Sequence, residues 1–357
     1  MAGNKSLHAA KKEKFDEYYT RREDIEAELS HYKPFFEDKV VYCNCDDPTW
    51  SEFWQFFVRV FRDWKIKKLL ATHYEQDEKN YAYKLELSED TNGDGKIDWN
   101  DEPTMTQLPC NGDFRSAACI ELLKEADIVV TNPPFSLFRE YVLQLMEYNK
   151  QFLIIGPQNA ITYNEIFSLI KTDKLWIGYG FRGGNAYFRV PDGVDTSHFA
   201  KGVYDPETKL VHFRNCTWYT NLDIDKRHDH LDLRGNYYQK DSFYHYDNCE
   251  GAIEVSKVAD IPCDFDGVMG VPITFINNYS PDQFQMLGLS RDMDIPGKIG
   301  MKAEFVQKYF EQGNTGQISE GHPDLCYYDN SGKTVVPYRR VMVKLKHPEE
   351  RRYKDED

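Results

Sequence analysis

No stretch of the chain is apolar over the roughly 18 residues that a membrane span requires, and its first residues are polar and charged, with nothing resembling an export leader. Cysteine occurs eight times, but no pair is spaced C-x-x-C. Cys43-x-Cys45 alone makes neither a zinc ribbon nor a disulfide framework, so reduced thiols and a cytoplasmic location are expected. Positive charge is also short. The net charge of -15 rules out holding nucleic acid by net charge, because that affinity comes from Lys and Arg neutralising phosphates. The charges are unevenly spread, however. Lys5, Lys11, Lys12, Lys14, Arg21 and Arg22 lie at the front, and Arg339, Arg340, Lys344, Lys346, Arg351, Arg352 and Lys354 near the end. With the acid concentrated between them, a basic face is still open to the fold. No internal repeat is visible.

Aromatic residues are plentiful, with 24 Tyr and 22 Phe among 357 residues. They suit a protein that stacks on bases, and equally an aromatic-rich core. The length allows one large α/β domain with an appendage, or two domains. Short β-branched runs at 39–43, 68–72, 126–130 and 151–155 alternate with helical patterns at 50–64, 117–124 and 137–148, which predicts an α/β fold with a mostly parallel central sheet. From Gly183 the sequence turns irregular and rich in Gly, Asp and Tyr, with strand candidates at 217–220 and 271–276. The expected organisation is a core over 1–182, late core strands and a recognition region over 183–347, and a disordered tail over 348–357.

The run Ala126-Asp127-Ile128-Val129-Val130-Thr131-Asn132-Pro133-Pro134-Phe135 reads as a buried strand meeting two prolines that cannot continue it. In open α/β sheets the carboxyl edge of the strands is where ligands bind, so an amide, a rigid carbonyl and an aromatic are placed together there. Such a trio suits the adenine amino group, a poor nucleophile whose lone pair is delocalised into the ring. The Asn132 side-chain oxygen and the Pro133 carbonyl would each accept one amino hydrogen, and Phe135 would stack on the base. Asn and Pro also make plain turns; the strand before them, with Asp127, and the helix after Ser136 favour the catalytic reading.

Several blocks together resemble the EcoRI-type adenine-specific DNA methyltransferases, the modification methylases of restriction systems. They are Phe15-Asp16-Glu17-Tyr18-Tyr19-Thr20 with Ile25-Glu26-Ala27-Glu28-Leu29 after it, Val41-Tyr42-Cys43-Asn44-Cys45-Asp46-Asp47-Pro48, Gly112-Asp113-Phe114-Arg115-Ser116, Thr131-Asn132-Pro133-Pro134-Phe135-Ser136-Leu137-Phe138, Asn159-Ala160-Ile161-Thr162-Tyr163, Trp218-Tyr219-Thr220-Asn221-Leu222-Asp223 and Gly267-Val268-Met269-Gly270-Val271-Pro272-Ile273-Thr274-Phe275. The resemblance implies a Rossmann-like fold that binds S-adenosylmethionine, with double-stranded DNA as substrate and a cognate restriction endonuclease; a monomeric or weakly associating state is expected. It further implies that Tyr19 and Thr20 close over the cofactor's methionine end, and that Asn44, Asp46 and Asp47 sit in the loop after the first strand. Asp113 and Phe114 would read the cofactor's adenine. The loop after the first strand lacks the usual glycine-rich run. Glu75, after the second strand, is a ribose-binding candidate, or simply a solvated loop carboxylate.

A separate signal lies at Asp90-Thr91-Asn92-Gly93-Asp94-Gly95-Lys96-Ile97-Asp98-Trp99-Asn100-Asp101. Asp90, Asn92, Asp94, Lys96, Asp98 and Asp101 stand at the ligand positions of an EF-hand loop, with Gly95 at the turn and Ile97 as apolar anchor. The expectation is a structural calcium ion; the alternative is an acidic surface insertion. His228 and His230 read as a solvated polar loop, 178–185 as a glycine loop, and the aromatic stripe from Phe53 to Trp64 as core. Rival readings are methylation of cytosine N4, RNA adenine or protein glutamine, and a non-catalytic calcium- or DNA-binding protein on the same scaffold.

Overall fold

The computed structural model describes residues 19–45, 47–75, 81–181, 184–190, 196–197, 199–238 and 243–349. The chain forms two units, Met1–Ile224 and Asp225–Asp357. In the first, β1 (Tyr19–Thr20), α1 (Arg22–Leu29), β2 (Val40–Cys43), α2 (Glu52–Val60), β3 (Lys68–Thr72), β4 (Tyr83–Leu87) and β5 (Thr104–Gln107) come first. They are followed by α3 (Ala117–Glu125), β6 (Ile128–Thr131), α4 (Phe138–Glu147), β7 (Gln151–Pro157), α5 (Asn164–Lys171), β8 (Trp176–Ile177), β9 (Ala186–Arg189), β10 (Tyr204–Asp205), β11 (Leu210–Phe213) and β12 (Cys216–Thr220).

The main sheet has eight strands in the order β5-β4-β3-β2-β6-β7-β12-β8. Pairing is parallel from β3 through β2 and β6 to β7 and antiparallel at both flanks. The sheet is thus mixed, parallel at its centre. Parallel neighbours need crossover connections, and α2 and α4 supply them between β2 and β3 and between β6 and β7. Strands β2 and β6 are buried at every residue, which is why both read as continuous apolar runs rather than alternating ones. Asp127 aligns their starts: its Oδ2 accepts from the Val40 amide at 2.8 Å, and its own amide donates to the Val40 carbonyl at 2.9 Å.

Ser51 and Ser116 cap α2 and α3, each hydroxyl accepting a backbone N–H at 3.3 Å. The aromatic stripe is core: Phe53, Trp54, Phe56 and Phe57 are buried on α2, and Trp64 lies 5.2 Å from Phe56. A second, antiparallel sheet runs β1-β9-β11-β10, with Tyr19 opposite Arg189 and Thr20 opposite Phe188.

The second unit contains β13 (Tyr244–His245), β14 (Ile253–Glu254), β15 (Met269–Pro272), β16 (Phe284–Leu289), α6 (Ala303–Glu311), β17 (Tyr327–Tyr328), β18 (Thr334–Val335) and β19 (Arg340–Leu345). Its larger sheet is ordered β13-β14-β15-β19-β16. The strand expected at 271–276 stops at Pro272, and Ile273–Asn278 is a 3-10 helix; a proline has no N–H with which to extend a ladder. Inside this unit Glu254 is buried and takes the Arg340 guanidinium at 2.6 Å and the Tyr246 hydroxyl. Of the tail expected to be disordered over 348–357, residues 350–357 lie outside the described residues, as do the basic residues up to Lys14.

Candidate active site at the carboxyl edge of the sheet

Strand β6 delivers Asn132, only 8% exposed, to the carboxyl edge at the middle of the sheet. Pro133 is buried, and Pro134 and Phe135 are half-buried. Lacking an N–H, the prolines end the ladder, and the chain turns through a 3-10 helix over Phe135–Leu137 straight into α4. The Phe135 ring meets Phe188 edge-on at 6.4 Å. Because Thr20 pairs with Phe188, the N-terminal strand stands beside the Asn132 segment. The Thr20 hydroxyl is buried with no hydrogen-bond partner among the described residues.

Asn44 leaves the end of the neighbouring strand β2. The Thr131 hydroxyl donates to its carbonyl and the Tyr141 hydroxyl, from α4, to its side-chain oxygen. Burial holds the Tyr141 phenol far above its ordinary pKa, so it remains a donor. The same Tyr141 ring packs edge-on against Phe114 at 5.0 Å, and the Phe114 carbonyl accepts from Gln144 at 3.2 Å. One helix therefore fixes both Asn44 and Phe114.

Asp47 Oδ1 accepts from the Thr49 amide and hydroxyl and from the Tyr83 hydroxyl, at 2.9, 2.7 and 2.9 Å. Its other oxygen lies 3.6 Å from the His73 ring, whose far nitrogen is 3.4 Å from Glu75. The Glu75 amide donates to the Asn111 carbonyl at 2.8 Å, closing the loop that precedes Asp113 onto the end of β3. Gly112 makes that closure possible: its φ is +81°, and a Cβ there would overlap the His73 carbonyl. Asp113 is held by Arg115, whose hydrogen bonds keep the carboxyl below its ordinary pKa.

Asn44, Asp47, Asp113 and Phe114 thus share the sheet edge from which Asn132 emerges. Tyr19 and Thr20 arrive from the smaller sheet, and Asp46 lies outside the described residues. Next to Thr20 opens a cavity of about 990 Å³ walled by Arg21, Arg22, Trp50, Glu52, Arg189 and Lys209 among others. Its lining does not include Asn44, Asp113 or Asn132, so it lies off the expected reaction centre. Sequence reading missed Tyr141, Thr131 and Arg115. Tyr141 falls in the apolar stripe of α4 with Phe138, Val142 and Leu145, a pattern that reveals burial but not where a hydroxyl reaches.

The calcium expectation finds no support among the described residues. The loop joins β4 to β5 rather than two helices, and its oxygens are engaged by backbone amides. Asp90 accepts from Gly93 and Gly95, Asn92 from Asp94, Asp94 from Lys96, Asp98 from Asn100, and Asp101 from Thr91, Asn92 and Asp98, all between 2.7 and 3.2 Å. Among the described residues no group of three or more His, Cys, Asp or Glu is arranged to hold a metal ion. His228 is paired with Asp282 at 2.6 Å on the surface.

The profile of the family described as "Adenine-specific methyltransferase EcoRI" matches residues 6–346. The chain belongs to the EcoRI-type adenine-specific methyltransferases. Type II methyltransferase M.EcoRI of Escherichia coli is 44% identical over 299 residues, covering 82% of this chain and 91% of that protein. Type II methyltransferase M.MpnI of Mycoplasma pneumoniae is 40% identical over 292 residues, covering 79% and 84%. M.MgeORF184P of Mycoplasma genitalium is 37% identical over 292 residues, covering 79% and 85%. No solved structure matches the chain. As an EcoRI-type methyltransferase it is an enzyme that methylates adenine in DNA at the expense of S-adenosylmethionine. No helix among its described residues is long and apolar enough to cross a membrane.

Proposed function

We propose that this methyltransferase acts on the exocyclic N6 of an adenine rotated out of duplex DNA, with Asn132, Pro133, Pro134 and Phe135 as the target pocket. The observation that carries the reading is the placement of Asn132. It is a nearly buried amide at the carboxyl end of a central strand, adjacent to the Asn44 loop and followed by a half-buried aromatic ring. An amino group stacked inside a duplex cannot enter such a recess, so rotation of the base is required. Asn132 Oδ1 and the Pro133 carbonyl accept the two amino hydrogens and aim the nitrogen lone pair. As positive charge develops on nitrogen, the same two acceptors stabilise it. Phe135 covers the face of the base.

S-adenosylmethionine supplies an electrophilic methyl group when bound. The residues at the edge fit it. The buried Thr20 hydroxyl has unused hydrogen-bonding capacity among the described residues for a polar end group. Asn44 and Asp47 line the turn after β2. Asp113 accepts three donors through Arg115 and its amide, which leaves a lone pair on Oδ2 for an adenine amino group, with the Phe114 ring beside it. The strand order, with an antiparallel β12 between β7 and β8, supports a Rossmann-like methyltransferase fold.

The type II relatives support duplex DNA as substrate and a partner restriction endonuclease. Recognition of the target sequence is assigned to the residues beyond about 183. A cytoplasmic location accords with the absence of disulfides among the described cysteines, and a monomer is the state assigned with it. The test is transfer from tritiated S-adenosylmethionine to unmethylated duplex DNA, followed by digestion to nucleosides. Label on N6-methyladenosine supports the reading; label on RNA or protein in parallel incubations, with none on DNA, overturns it.

A further inference from the structure

Glu28 is buried on α1, only 1% exposed, and an ionised carboxyl in such a place is costly unless fully hydrogen-bonded. Two of its three partners lie far along the chain. Oε1 accepts from the Tyr32 hydroxyl at 2.7 Å and from the Tyr179 amide at 2.8 Å, and Oε2 accepts from the Gly180 amide at 2.8 Å. Two successive backbone N–H groups of the turn after β8 are thus gripped by one carboxylate.

The glycines of this turn match that grip. A Cβ on Gly178 would overlap Glu28 Oε1 and come within 2.9 Å of both the Trp218 Cβ and the Tyr32 hydroxyl. Gly180 sits at φ +95°, which L side chains avoid. Gly178 is further tied to β12 by its amide, which donates to the Trp218 carbonyl at 2.9 Å. The Tyr179 ring lies flat on His31 at 3.8 Å, fixing the turn from its outer side.

What the turn positions is Phe181. Its ring stacks on Trp218 at 5.7 Å and touches Phe188 at 6.5 Å, and Phe188 in turn packs on Phe135 at 6.4 Å. The contacts run unbroken from Glu28 through the turn to the aromatic ring of the target pocket. We propose that Glu28 is a positioning residue for the methyl transfer, setting the 178–181 turn that braces Phe188 and Phe135 behind the target adenine. This rests on the reading of Asn132 to Phe135 as the target pocket. A carboxylate suits the role because it is an acceptor at both oxygens. Glutamine of the same size would turn a donor toward one of the two amides and break the grip.

The experiment compares E28Q, G178A and Y32F with wild type, using tritiated S-adenosylmethionine and unmethylated plasmid DNA, and measures cofactor affinity without DNA by calorimetry. The expected result is a kcat lowered by on the order of tenfold to a hundredfold in E28Q, as small misplacements near reacting groups give. G178A, which keeps the carboxylate but displaces the turn, should match it. In both, cofactor Kd and KM should stay within about twofold of wild type. Y32F, which leaves both amide contacts in place, should keep its turnover. An E28Q enzyme with wild-type kcat overturns the proposal. So does one whose cofactor affinity and urea midpoint fall together with kcat, because that is loss of fold. N132A run alongside separates the two ideas: inactive N132A with fully active E28Q sinks the role of Glu28 alone, whereas active N132A sinks the pocket reading and with it the route from Phe181 to catalysis.

Discussion

Arg115 clasps Asp113. Its Nη2 donates to Oδ2 at 2.6 Å and its Nε to Oδ1 at 2.9 Å, while the Arg115 backbone N–H reaches Oδ1 at 2.9 Å. The guanidinium also lies 5.2 Å from the centre of the Phe114 ring. Such a clasp holds the carboxylate ionised and in one rotamer, as the proposed contact with the cofactor's adenine requires. Arg115→Ala should weaken S-adenosylmethionine binding about tenfold, ~1.4 kcal/mol, and Asp113→Ala more. Calorimetric titration without DNA reads both, and an unchanged affinity in both variants would remove Asp113 from the cofactor site.

On the proposed reading, Asn132→Ala removes one of the two acceptors for the amino hydrogens while leaving the strand intact. Turnover should fall by at least about 10²–10³-fold, the scale of losing one preorganised partner in a transition state, with the circular dichroism spectrum and cofactor affinity preserved. A variant with near-normal turnover would show that the lone pair is directed by other groups.

Tyr141→Phe takes the donor from the buried Asn44 oxygen without changing the ring that packs on Phe114. A buried acceptor left unmade costs about 1–3 kcal/mol, so the urea midpoint should drop by the equivalent amount. Cofactor affinity should fall as well, because Asn44 loses its anchor. Equal stability and affinity in wild type and variant would mean that the bond is not made in solution.

Glu86, on β4, offers a test by pH. Burial raises its carboxyl pKa, but donors outweigh that: Lys84 at 2.8 Å, Lys68 at 3.0 Å and Ser88 at 2.9 Å hold it at about 2, against 4.5 for a free glutamate. The folded protein thus binds the proton less readily than the unfolded chain, so this contribution to stability is complete above about 4.5 and is lost as the pH falls toward about 2. Wild type should exceed Glu86→Gln in thermal midpoint near neutral pH, with the gap closing across that acidic window. A gap that stays constant down the series would show that the carboxyl does not titrate with the fold.

The order of amino acids by itself determined the central strands, the helices between them and the Asn132 segment. These are local features: continuous apolar runs where a strand is covered on both faces, helical spacing where one face is covered, and two prolines where a ladder must stop. The EF-hand-like match shows the limit of that kind of reading. Position in a loop reveals which residues carry oxygens, but only the folded loop decides that these oxygens turn onto its own amides, and that strands rather than helices flank it. The strand foreseen over 271–276 failed at Pro272 for a reason present in the sequence, the missing N–H, that apolar content outweighed.

Contacts made across long separations were decided by tertiary structure alone. Tyr141 reaches Asn44 across 97 positions, and Glu28 reaches Tyr179 across 151. In the sequence Tyr141 reads as one more core aromatic and nothing marks the partners of Glu28, because burial and a partner are properties of the packed chain. For Tyr141 and Asn44 the physical reason is parallel pairing. It sets β2 beside β6, although 84 positions separate Cys43 from Asp127, and so places the loop of one strand against the Asn132 turn of the next.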